Sequence, residues 1–522
     1  MGALFHVEGV PIGITSVALA LIASMGGFIF GYDTGQISDI LLMPDFLLRF
    51  ADCSSGATLA TATDTCSFTD VRSGLIVALL SIGTLAGALM GAPIADFLGR
   101  RYAMVVECGV FIIGVLESIR GSLTATYQLF ITFGILIAYC ISIGTRGYDG
   151  PSSWQTVVGI GIAWPIILSV GILLMPESPR WLVFHDKPEL ALQSLGRVHG
   201  MTREEARGHP LPNKHLAEIQ SNVDFERQSI GRSGWIDCFR PQKKVLYRTL
   251  LGMSLQSLQQ LTGANYFFYY GATVFQSVGI SDSFITQIIL GAVNFGCTFG
   301  GILIMEKFGR RRPLIIGGIW QSLWLFVFAA AGTAKVPQDN PGIGKLMIVS
   351  ACLFILGYAM TWAPGIWILI GETFPTRTRA KQASLATASN WIWNFLLAFF
   401  TPFIINAIDF RYGFVFASCN LLGAAVVYLF LYESSDLSLE AVDMMYNDPA
   451  CKPWTSGRWA PAGYSSRKDI EEQGKAAQAH KDFAPGEESR VENINGVSEK
   501  TTNNGKIEGV NGAPYSMAPQ AE

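Results

Sequence analysis

Charge is scarce in this sequence. Lys, Arg, Asp and Glu make up only 15% of its 522 residues, while half are apolar. A soluble chain of that length needs more charge than this to cover its surface. The formal net charge is −3, so no basic excess points to nucleic acid. The six histidines fall outside the apolar runs, and no cluster of metal-ligand type, phosphate-cradling glycine loop or activated nucleophile is present. The chain is therefore not expected to be an enzyme, and it calls for no cofactor or metal. Nine cysteines occur, most of them inside apolar runs as inert packing residues. Cys53 and Cys66 differ, because both lie in one polar loop. If that loop faces outward, a disulfide or two free thiols remain open.

What is present is a series of apolar runs of about 20 residues, the length that crosses a bilayer. They fall near 14–34, 74–95, 102–118, 123–144, 155–175, 250–274, 284–305, 313–333, 347–370, 384–407 and 411–432. This is an all-α, multi-pass membrane protein with eleven readable spans. The first run continues into "FGYDTGQIS" rather than a small-residue cleavage site, so it is expected to remain a span. The divisions are a bundle over 1–175, a polar linker over 176–248 and a second bundle over 249–445. The polar, Gly/Asn/Glu/Lys-rich stretch over 446–522 reads as a disordered tail.

Basic loops mark the cytoplasmic side. "GRRYA" (99–103), "GRRRP" (309–313), "PTRTRAK" (375–381) and the linker all carry Lys and Arg. Three runs separate the first of these from the linker, yet two loops on one side require an even number. An internal repeat locates the fault. "DFLGRR" at Asp96 is echoed by "EKFGRR" at Glu306, and "PESPRWL" with Glu177 by "YESSDLSLE" with Glu433. The paired acids stand 127 residues apart in the second half and 81 in the first, a shortfall of about 46. A third pair, "IRGSL" at Arg120 and "TRAKQ" at Arg379, places the shortfall just before Arg120. The spacing predicts that a whole span is absent there, with the end of its predecessor.

The chain resembles the sugar-porter family of the major facilitator superfamily, fungal hexose transporters especially. "FGYDTGQIS", "DFLGRR", "PESPRWL", "QQLTGANYFFYY", "EKFGRRRP", "GETFPTRTRA" and "SNWIWNF" carry the likeness, in the family's order. The resemblance implies a major facilitator fold of twelve helices in two six-helix bundles built from inverted repeats, where this chain offers eleven. It also implies a plasma-membrane carrier with a cytoplasmic tail. Hexose is the substrate, and carriers of the family often act as single chains.

The residues themselves agree. Holding a sugar inside a bilayer means replacing its water with fixed donors and acceptors. Amides supply both polarities without net charge, and aromatic rings cover C–H faces. Gln259, Gln260 and Asn265 sit in an apolar segment, with Gly263 able to bend it. The resemblance makes these three sugar ligands and makes Tyr269 and Tyr270 the outer closure. It adds Gln128, Asn294, Trp367, Asn390, Trp391 and Asn394 to the cavity. The plainer reading of every amide is interhelical hydrogen bonding.

The resemblance gives the charged motifs a gating role. Asp96, Arg100, Arg101, Glu177, Arg180, Glu306, Arg310, Arg311, Glu372, Arg377 and Glu433 would tie helix ends together and release them as the bundles rock. Topogenic charge explains the arginines but not the acids beside them. Asp33, a carboxylate in the first span, is a functional candidate on cost alone. In proton-coupled relatives it pairs with an arginine of the fourth helix, the helix missing here, so symport and facilitated diffusion both stay open. The expected function is hexose transport by alternating access across the lipid bilayer. The alternatives are a glucose sensor signalling through its tail, or an inactive form one span short.

Overall fold

The structure is a computed structural model. It describes residues 5–7, 10–12, 14–54, 56–99, 101–105, 108, 124–148, 150–229, 235–277, 283–334, 336–337, 340–375, 378–461 and 467. The junction before Arg120, together with Arg100 and Arg377, lies outside the described residues.

Long helices dominate, as apolar sequence without water to satisfy its backbone requires. In the first part of the chain they are α1 (Ile14–Ile40), α2 (Asp70–Leu98), α3 (Thr124–Thr145) and α4 (Ser152–Leu174). The second part holds α5 (Val245–Gln260), α6 (Ala264–Ser277), α7 (Ser283–Phe308), α8 (Arg311–Ala334), α9 (Pro341–Gly357), α10 (Ala363–Thr373), α11 (Arg379–Ile408) and α12 (Tyr412–Phe430). Eight stretches among the described residues are long and apolar enough to cross a membrane. Two expected spans are interrupted. The run at 250–274 breaks between α5 and α6, and the run at 347–370 passes through a π-turn at Tyr358–Trp362 that joins α9 to α10. Among the described residues four very short strands pair Phe5–Val7 with Val10–Ile12 and Asp52–Cys53 with Cys66–Ser67. Cys53 and Cys66 are joined by a disulfide.

Packing contacts fix the direction of each helix. α3 runs parallel to α1: a Cβ on Gly35 would meet Ile135 O and the Ala138 side chain at 2.9 Å. α4 runs antiparallel to α1, with Tyr32 OH donating to Val157 O at 2.7 Å and Ile22 packed under Gly171. α2 and α11 run antiparallel along a seam through Asp70–Asn406, Gly74–Phe399 and Ser81–Asn394. The end of α2 meets the end of α4 where Arg101 N donates to Glu177. Leu98 and Thr124 consequently lie at one face of the bundle, the face where α1 begins. A single crossing by the run at 102–118 would instead place them at opposite faces.

Between α4 and α5 the linker forms short helices at Pro179–Phe184, Pro188–Val198, Arg203–Gly208 and Pro210–Ser229. Thr202 and Glu205 close a capping box on the third of these.

The composition of the last segment misled at its start. Residues 446–461, read above as the beginning of a disordered tail, are packed: Tyr446, Cys451 and Ser456 are buried, and the Trp459 indole donates to Asp448 at 2.8 Å. A short helix, Leu439–Asn447, precedes them and sends Asp443 to Arg248 at 2.7 Å. Arg248 is fully buried, with its guanidinium 4.2 Å from the centre of the Tyr446 ring. Aromatic residues scattered among glycine and proline supply the contacts that a polar average conceals. The remainder of that stretch, apart from Arg467, lies outside the described residues.

Removing one partner of a buried ion leaves the other uncompensated. Asp443→Ala is expected to cost about 1–3 kcal/mol, read as a lower thermal midpoint of the detergent-solubilised protein. An unchanged midpoint would show that the docked segment contributes nothing.

Candidate functional site

The break between α5 and α6 builds the site. Gly263 holds a left-handed backbone (φ 93°), and a Cβ there would strike the Phe416 ring at 2.7 Å, so glycine meets both demands. The turn ends α5 immediately after Gln259 and Gln260 and starts α6 with Asn265 in its first turn. The bend expected at Gly263 is where the amides gather.

They form a connected network. Asn265 Nδ2 donates to Gln260 Oε1 at 2.6 Å, and Gln260 Nε2 donates to Asn390 Oδ1 at 2.8 Å. Asn390 Nδ2 is shared between Gln256 Oε1 at 2.6 Å and Gln259 Oε1 at 3.0 Å. Gln259 Nε2 turns to the carbonyls of Trp362 (3.0 Å) and Ala363 (3.3 Å), beside the π-turn. Asn394 Nδ2 lies 3.3 Å from Gln260 Oε1, while its Oδ1 accepts from Ser81 Oγ (2.7 Å) and Tyr269 OH (3.2 Å). Tyr270 OH donates to Ala398 O at 2.6 Å. Helices α2, α5, α6, α10 and α11 thus meet through uncharged polar groups. In an apolar surround each of these would be costly alone.

The other expected cavity residues stand outside this network. Gln128 is buried on α3. Asn294 is buried on α7, and its Oδ1 has no hydrogen-bond partner among the described residues. Trp391 is buried edge-on to Phe30 of α1, with centroids 5.3 Å apart. Trp367 is half-buried on α10. Trp362, five residues earlier and fully buried, is the more deeply packed ring of that segment, with its indole donating to Leu314 O at 2.9 Å. Sequence reasoning passed over Gln256, Ser81 and Trp362. Gln256 had a signal, since it stands one turn before Gln260 on the same helical face. Ser81 had none.

Asp33 is buried on α1, accepts from Gln36 Nε2 at 2.9 Å and forms no ion pair among the described residues.

The charged motifs take the same shape twice. Gly99 and Gly309 both hold left-handed backbone (φ 89° and 78°), and a Cβ at either would collide with a carboxylate, Glu177 or Glu433. Glu177 accepts from Arg101 N at 3.2–3.3 Å; Glu433 accepts from Arg310 N and Arg311 N at 2.9 and 3.0 Å. Arg101 donates to Leu173 O, as Arg311 donates to Tyr428 O. The sequence repeat is therefore a structural one. Arg310 also forms a two-point ion pair with Glu372, at 2.7 and 3.1 Å. Arg180 opens the Pro179–Phe184 helix. Glu306 is exposed and joins no ion pair among the described residues, and the side chain of Asp96 lies outside the described set.

Asn390 joins three of the amides, Gln256, Gln259 and Gln260. Asn390→Ala leaves three glutamines short of a partner and is expected to lower stability by about 1–3 kcal/mol. Asn294→Ala, which frees no such partners, is expected to cost less; thermal midpoints of the two purified variants compare them.

Comparison with known proteins accords with this architecture. The family described as "Sugar (and other) transporter" matches residues 19–119 and 116–446. The high-affinity glucose transporter ght2 of Schizosaccharomyces pombe is 41% identical over 501 residues, spanning 88% of this chain and 92% of that protein. The high-affinity fructose transporter ght6 of the same yeast is 39% identical, spanning 88% and 91%. The E. coli xylose transporter XylE, solved as a major facilitator proton:xylose symporter bound to 6-bromo-6-deoxy-D-glucose, superposes with a TM-score of 0.63. Its identity is 22%, and the match covers 83% of this chain and 99% of that one. The chain belongs to the sugar transporter family and has the major facilitator fold.

Proposed function

We propose that this protein binds a hexose at the amide network and carries it across the plasma membrane by alternating access. The observation that supports this most directly is the set Gln256, Gln259, Gln260, Asn265, Asn390 and Asn394, held by a glycine break at the meeting of five helices. Uncharged amides of this density offer a sugar exchangeable donors and acceptors. Tyr269 and Tyr270, on the same helix as Asn265, close the outer side of the site, and Gln128, Asn294, Trp367 and Trp391 complete its walls. Sugar carriage by ght2 and ght6, named for glucose and fructose, favours transport over sensing.

The paired carboxylates Glu177 and Glu433 act as clamps on helix ends, with Arg310 and Glu372 as a further tie, so that each half moves as one body during the rocking step. Asp33 is the candidate proton carrier: it is buried, and its described partner is an amide rather than a base. The basic face is the cytoplasmic one.

A second reading concerns turnover. The two family matches meet at residues 116–119. The alignment with ght2 runs over 501 positions but covers 88% of the 522 residues, about 459, leaving roughly 42 positions with no residue of this chain. Leu98 and Thr124 share a face. All three support the absence of the fourth span, and with it the arginine that would answer Asp33. A bundle short of one helix exposes cavity-facing groups to lipid, so on this second reading alone the chain binds sugar without transporting it.

The triple variant Gln259→Ala, Gln260→Ala, Asn265→Ala is expected to abolish hexose binding, measured by calorimetry on purified protein; retained binding would place the pocket elsewhere. Saturable hexose uptake into a transporter-null cell, by this chain and by a version carrying a fourth span before Arg120, separates the second question. The second reading requires uptake from the restored version alone, whereas uptake by this chain itself supports carriage. Equal uptake from both would overturn the missing-span reading.

A further inference from the structure

Just before α5 the chain forms a one-turn helix, Trp235–Phe239, whose apolar side chains face outward. Ile236 is 78% exposed, Trp235 49% and Phe239 47%. Three neighbouring large apolar residues do not stay in water without a reason.

The turn is firmly attached. Cys238 is fully buried, and its carbonyl accepts from Thr249 Oγ1 of α5 at 2.7 Å. Leu246 N donates to Arg240 O at 2.9 Å. Gln382 of α11 ties the same corner, donating to Val245 O (3.1 Å) and Thr249 Oγ1 (2.7 Å). Lys243 and Lys244, both in left-handed backbone (φ 51° and 53°), make the sharp corner where this foot meets α5. Its apolar side is therefore held outward by its anchorage.

Two further features identify what covers it. Leu250, within the first two turns of α5, is 51% exposed on a membrane helix, so the apolar surface of the foot continues the bilayer-facing surface of the span. Arg240 and Lys243 are exposed beside it, and Lys244 and Lys381 stand close by. Arg240 keeps an exposed guanidinium although Asp237 lies 3.0 Å from it. Aromatic and aliphatic side chains flanked by cations, at the start of a span on the basic face, match the interfacial layer of a leaflet rich in acidic headgroups.

We propose that Trp235, Ile236 and Phe239 insert into the membrane interface on the basic face, and that Arg240 and Lys243 bind the headgroups of anionic phospholipids there. The foot fixes the depth of α5 and, through Gln382, of α11, the two helices that carry Gln256, Gln259, Gln260, Asn390 and Asn394.

The test uses the full chain in vesicles of phosphatidylcholine, alone or mixed with phosphatidylserine. Fluorescence of the wild type minus that of Trp235→Phe isolates Trp235, and brominated phosphatidylcholine is expected to quench it. A Trp235 signal quenched by aqueous acrylamide instead would overturn insertion and favour a soluble protein as the occupant. Phosphatidylserine is expected to raise the thermal midpoint of the wild type in mixed micelles. Arg240→Gln with Lys243→Gln is expected to weaken phosphatidylserine binding about tenfold or more, with phosphatidylcholine unaffected. Equal phosphatidylserine affinity in wild type and variant would overturn the headgroup assignment. Neither readout involves sugar, so both stand apart from the hexose assignment.

Discussion

An uncharged polar group inside a bilayer must find another polar group, and the amide network of α5, α6 and α11 is that rule at its densest. Gln260, Asn390 and Asn394 do not merely decorate a cavity; they hold three helices in register through hydrogen bonds of 2.6–3.3 Å. The glycine break at 263 follows from it, because an unbroken helix would leave Asn265 further along the same cylinder than Gln260 Oε1 can meet. The depth of the flanking aromatics follows as well. Tyr266, Phe267, Phe268 and Tyr269 all pack into one apolar cluster, and the Tyr269 hydroxyl reaches Asn394 from it.

Much of this was legible in the residues. Apolar runs locate membrane helices because lipid allows few other solutions, and the break at Gly263 was readable from one residue inside an otherwise apolar segment. The repeat was legible too: the echo of "PESPRWL" in "YESSDLSLE", beside the doubled "GRR", anticipated that Glu177 and Glu433 would occupy matching positions. Less could be read where contact is long-range. Ser81 lies 313 residues from Asn394, and a single serine in an apolar helix gives no hint of such a partner. Residues 446–461 were misread because composition averages over a window, while packing depends on where Tyr446 and Trp459 fall.

The two charge clamps differ from the amides in their physics. Each carboxylate is met by backbone N–H groups at a left-handed glycine, so its hold on the chain does not depend on a long side chain staying in place. Arg310 and Glu372 add a bidentate contact, the stronger geometry for such pairs. These clamps bind helix ends within each half, whereas contacts such as Asp70–Asn406 and Ser81–Asn394 join α2 to α11. The bonds that join helix ends are thus distinct from the bonds along the α2–α11 seam.

The dense mutual pairing of the amide network has a thermodynamic corollary. A hydroxyl entering there finds most would-be partners already engaged, Gln256 Nε2 being an exception among the described residues, so most new contacts displace an old one and the net gain per bond is small. Under the proposed function, discrimination between sugars would come from how many swaps a given ring can make at once, rather than from the strength of any one. Recognition by many weak exchanges would suit the proposed carriage, in which the sugar must also be let go.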